Sequence, residues 1–125
     1  MPAKFWKLEG KKIVQCKDVL EWGEFFEKKE RFIKNTQMPL CWISTVFLGL
    51  DHSFYFGPEE RPPILFESMI FGGPLEDEMD RYSTYEEAEE GHETLCKMAE
   101  KATQDYAANI MVWIMSALLI WIIFD

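Results

Sequence analysis

Asp51, His52, Glu67 and His92 are the side chains of this sequence best suited to hold a divalent metal or to move a proton. Asp51 and His52 follow the apolar run WISTVFLGL, and Glu67 interrupts a second run, ILFESMIF. Pairing of these two runs as strands would bring Glu67 towards the Asp51-His52 end, at a register the connecting loop leaves open. The chain has only 2 His, and neither an H-x-x-x-H nor an H-x-H spacing joins them. The plainer expectation is that Glu67 faces solvent or pairs with Arg81, while His92 is a hydrogen-bonded core residue. Cys41 and Cys96 lie in apolar patterns and read as small core residues. His92 and Cys96 are one helical turn apart, but a neutral imidazole does not activate a thiol. No Ser has a G-x-S-x-G context, and no Lys-Ser/Thr follows Gly72-Gly73 to make a phosphate loop. The acidic residues 76–80 lack calcium-loop spacing and read as a solvated loop. No cofactor is expected.

The elements that must position these residues follow from periodicity. The chain has 125 residues, of which 48% are apolar, enough to bury one core but not two. FWKL, Glu9-Gly10 and KKIVQ read as a hairpin, with Gly10 supplying a positive φ at the turn. Asp18 is placed to cap a helix over DVLEWGEFFEKKERFIK, and Glu21 completes a capping box. Val19, Trp22, Phe26 and Ile33 give that helix an apolar stripe, with Phe25 and Phe32 beside it. Beyond Pro39, LCWISTVFLGLDHSF and PPILFESMIF predict two antiparallel, centrally placed strands, and MDRYS a short third one. Thr84 with Glu87 forms a second capping box, and Ala88, His92, Leu95, Ala99 and Ala102 form the apolar stripe of the helix it opens. Nothing interrupts that helix, so it is expected to run from Tyr85 to Phe124. The order β-β-α-β-β-β-α makes the fold α+β: a small antiparallel sheet packed with an N-terminal helix, followed by a long C-terminal helix.

Residues 107–124, AANIMVWIMSALLIWIIF, carry no charge, and Asn109 and Ser116 are their only polar side chains. As a helix these eighteen residues span about 27 Å, close to the ~30 Å hydrocarbon core of a bilayer. Nine are Leu, Ile, Val or Phe, which favour insertion by roughly 3 to 5 kcal/mol in total. Trp113 and Trp121 suit the two interfaces. Residues 1–106 are therefore expected to form a folded domain, and 107–124 a membrane anchor. The first twelve residues lack the apolar core and cleavage pattern of a signal peptide. Lys97 and Lys101 precede the segment and no positive charge follows it, which predicts a domain on the cytoplasmic side of an inner membrane. Reduced Cys16, Cys41 and Cys96 suit that compartment. A net charge of −9 argues against nucleic acid as partner and suits a basic protein.

WISTVFLGLDHSF, GPEERPPILFESMIF and DRYSTYEEAEEGHE, taken in that order over residues 42–93, resemble small bacteriophage-encoded proteins of no established activity. Those proteins show S-T-V-(F/W)-L-G-x-D-H, P-P-x-L-F-E-(S/T)-M-x-F and R-Y-(S/T)-T-x-E-E-A-x-x-G-H. The resemblance implies a phage origin. It also marks Asp51, His52, Glu67, Arg81, Tyr82 and His92 as the candidate functional cluster. The expectation is thus a phage-encoded accessory protein, tail-anchored in the host inner membrane through lipid contact, acting on a host or phage protein. Two alternatives stand beside it. One is a metal-dependent enzyme or ligand-binding protein using Asp51, His52, Glu67 and His92. The other is a soluble homo-oligomeric assembly component with its C-terminal helices bundled.

Overall fold

The computed structural model describes residues 4–51 and 61–124. Strands β1 (Trp6–Glu9) and β2 (Lys12–Gln15) form the expected hairpin, with Gly10 at φ 63° in its turn. Helix α1 (Val19–Phe26) starts where the Asp18 carboxylate accepts from the Glu21 N–H at 2.9 Å. Glu21 in turn accepts from the backbone N–H of Lys17 at 2.7 Å, which closes the box one residue further out. Reciprocal bonds of this kind satisfy donors that the first helical turn leaves orphaned.

The helix is shorter than its apolar spacing suggests. It stops at Phe26, a single 3-10 turn follows at Lys29–Arg31, and FIKNTQ is strand β3 (Phe32–Gln37). Residues 27–31 carry no apolar side chain to hold a continuing helix against the core. Ile33 and Thr36 are β-branched, and β3 gains an antiparallel ladder with its neighbour, interrupted by a bulge between Phe32 and Lys34. The guanidinium of Arg31 bridges the corner, 4.4 Å from the ring centroid of Phe26 and 4.3 Å from that of Phe32.

Strands β3, β4 (Trp42–Phe47), β5 (Phe66–Phe71) and β6 (Met79–Tyr82) form a four-stranded antiparallel meander in sequence order. In β4 and β5 every second residue is buried: Ile43, Thr45 and Phe47 face Ile70, Ser68 and Phe66. Helix α2 (Tyr85–Phe124) lies across that inner face with Ala88, His92, Leu95, Cys96 and Ala99 buried against it. Thr84 caps it as the sequence predicts, accepting from the Glu87 N–H at 3.1 Å and donating to its carboxylate at 2.9 Å. One apolar cluster joins Leu8, Phe25, Phe47, Phe66, Tyr82 and Ala88 at the start of α2. A second joins Cys41, Ile43, Ile70, Leu95, Cys96 and Ala99 further along the helix. Close approach of helix to sheet depends on Gly91, where a Cβ would lie 2.1 Å from the ring of Tyr82.

α2 leaves the body of the domain near Thr103. Beyond it the helix continues without a break to Phe124, and its apolar span is 0% buried. Trp113, Trp121 and Phe124 are 77%, 64% and 82% exposed.

Candidate functional site

Between the two apolar clusters lies a buried polar row. His92 is 0% exposed, and both of its ring nitrogens are engaged. Its Nδ1 is 2.7 Å from the Thr45 hydroxyl on β4, and its Nε2 is 2.8 Å from the Thr36 hydroxyl on β3. Thr45 also hydrogen-bonds Ser68 on β5. Tyr82 completes the row from β6; its hydroxyl is buried without a hydrogen-bond partner among the described residues. Burial holds the His92 imidazole below its ordinary pKa. Nearby Lys34 pushes in the same direction, against a smaller opposing effect of Glu93. The ring is therefore neutral near pH 7 and acts as a three-strand brace, with Thr36, Thr45 and Ser68 as its partners. No substrate reaches a fully buried imidazole, and neither nitrogen keeps a free lone pair aimed at a ligand.

The motif residues are divided by strand parity. Ser68 faces inward, so its neighbour Glu67 faces outward, where it meets Arg81 of β6 at 3.1 Å. Glu67 and Arg81 thus lie on the sheet face opposite Tyr82 and His92. Asp51 sits at the end of β4's trailing segment and accepts from the Ile64 N–H at 2.9 Å, tying the chain on both sides of residues 52–60. His52 lies outside the described residues. Among the described residues no group of three or more His, Cys, Asp or Glu comes together to hold a metal ion. Glu67 pairs with Arg81 and His92 is a bonded core residue, in keeping with the plainer expectation from the sequence.

The cysteines are free and buried. Burial raises the thiol pKa of both Cys16 and Cys96, which disfavours the thiolate that nucleophilic or metal chemistry needs. Ion pairs fasten α2 to its surroundings instead: Lys11 meets Glu89 at 3.2 Å, and Lys34 pairs with Glu93. That hydrogen bond holds the Glu93 carboxyl below its ordinary range.

Sequence reasoning missed Thr36, Thr45 and Ser68 as partners of His92. A signal exists for two of them: Thr45 shares its parity with Ile43 and Phe47, and Ser68 with Phe66 and Ile70. A hydroxyl at an inward position of a central strand requires a buried partner, and His92 is the polar residue on the facing helix stripe. Thr36 carries no such signal, because the apolar spacing leading into β3 is that of a helix.

Among the described residues, α2 beyond Thr103 is the longest run of exposed apolar side chains. Its apolar side chains point in every direction around the helix, with Asn109 and Ser116 seven residues apart on one side. One helix long and apolar enough to cross a membrane is therefore present. Scans against protein-family models, curated proteins and solved structures find no match to this chain.

Proposed function

We propose that this chain is a membrane-tethered accessory protein: residues 107–124 cross a bilayer, and the α+β domain binds another protein beside it. The observation that carries the reading is the apolar span of α2, 0% buried and continuous with the domain. An isolated helix exposing Ile, Leu, Trp and Phe on all sides is not stable in water, and a bilayer core matches its length. A soluble bundle of several chains needs a polar stripe on the outside of each helix. Asn109 and Ser116 alone do not supply one.

A binding role rather than catalysis is supported by the closed polar row and by the separation of Glu67 from His92. Exposed Glu86, Glu87 and Glu90 on α2 and Glu76, Asp77 and Glu78 before β6 suit a basic protein surface. Lys97 and Lys101 ahead of the span favour a domain on the cytoplasmic side. The resemblance to phage-encoded proteins supports a host or phage factor as the partner.

Cell fractionation tests the tether. The full chain is expected in the membrane pellet after an alkaline carbonate wash, and residues 1–106 in the supernatant. Equal recovery of both forms in the soluble fraction contradicts it. Adding the 1–106 form to detergent-solubilised membranes then tests binding: a stoichiometric, salt-sensitive partner is expected, and its absence removes the binding role.

A further inference from the structure

The same continuity that carries the tether fixes where the rim of the domain sits, given that α2 is a membrane span. At the end of the domain from which α2 departs, Gln37, Met38 and Pro39 line a groove with Glu100, Thr103 and Gln104. One turn later, Leu40, Gly73 and Pro74 line a hollow with Tyr106. Tyr106 immediately precedes the uncharged segment 107–124, and the helix between them has no break. At 1.5 Å per residue, the turn containing Leu40 lies within about one helical turn, ~5 Å, of the hydrocarbon edge. The interfacial layer on each side of a bilayer is roughly 5–8 Å thick. The rim is thus held in that layer, because no linker separates domain from span.

Its composition suits that depth. The two leading turns, residues 38–41 and 72–75, carry no charged side chain. Leu40 is 46% exposed. Behind it, on the sheet face away from α2, Trp42 and Phe71 pack against each other across β4 and β5, ring centroids 4.8 Å apart and planes tilted by 45°, 40% and 37% exposed. The amphipathic indole of Trp42 is favoured at headgroup level, and Phe71 adds apolar area beside it. The acidic residues Glu76, Asp77 and Glu78 follow the second turn directly and are exposed, with the Glu76 N–H bonded to the Gly73 carbonyl and Asp77 and Glu78 bonded through their backbones to Ile70.

We propose that the turn at residues 38–41, backed by the Trp42–Phe71 pair, is a second membrane contact, seated in the interfacial layer of the bilayer that α2 crosses and fixing the orientation of the domain upon it. This contact rests on the reading of α2 as a span. The occupant of the apolar rim is lipid, and the partner protein binds elsewhere on the domain.

Full-length L40C, E30C and W113C variants, each carrying an environment-sensitive fluorophore in phosphatidylcholine vesicles, test this. Glu30 lies in the 3-10 turn at the opposite end of the sheet, and the native cysteines are buried. The label at position 40 is expected to shift to the blue and to be quenched at least twofold by lipids spin-labelled near the headgroup, and the label at position 113 by lipids spin-labelled along the acyl chain, with the label at position 30 unaffected by either. Quenching at 113 with none at 40 overturns the second contact and leaves the span standing. A blue-shifted label at 40 that lipid does not quench shows protein covering the rim, and overturns it too. No quenching at 113 overturns the span, and the rim contact with it.

Discussion

His92 shows how one side chain can organise a core. It joins β3, β4 and, through Thr45, β5, so the fold favours its neutral form. An imidazole held below its ordinary pKa takes up a proton less readily folded than unfolded. Its contribution to stability is full above about pH 6.5 and is lost as pH falls below that value. A urea-unfolding series from pH 7.5 to 5 should show that decline, and H92Q should flatten it. T45V leaves Nδ1 and Ser68 short of a partner and should cost roughly 1–3 kcal/mol in the same assay. G91A drives a methyl into the hydroxyl-bearing edge of the Tyr82 ring. The ~1 kcal/mol gained in helix propensity should be outweighed by overpacking, a net loss of about 1–3 kcal/mol or more. Of these residues, His92 was legible as a core residue because it sits on an apolar stripe. The face that Glu67 takes was hidden, because the register of β4 against β5 depends on a loop the sequence leaves free.

At the scale of elements, the capping boxes at Asp18 and Thr84, the hairpin turn at Gly10 and the full extent of α2 were legible, since each rests on local chemistry. β3 was not. The three-to-four spacing that ends at Ile33 mimics a helix, and only pairing with β4, a contact made in three dimensions, turns it into an edge strand. The charge-free span makes a sharp prediction of its own. The nine strongly apolar residues favour insertion by roughly 3–5 kcal/mol, and one arginine at the helix centre costs about 2.5–3.5 kcal/mol. M115R should therefore cut the carbonate-resistant membrane fraction several-fold, while the Thr45-to-His92 row and the domain's unfolding midpoint stay unchanged.

At the scale of the molecule, a domain with two apolar clusters and a polar row between them ends in a helix for which it supplies no cover. The two parts meet in one unbroken helix rather than a linker. Liposome flotation of detergent-free, full-length chain tests this most directly. The full chain is expected to rise with phosphatidylcholine vesicles while residues 1–106 stay at the bottom of the gradient. Full-length chain left at the bottom as a discrete soluble particle would mean that sister chains, not lipid, enclose Trp113 and Trp121.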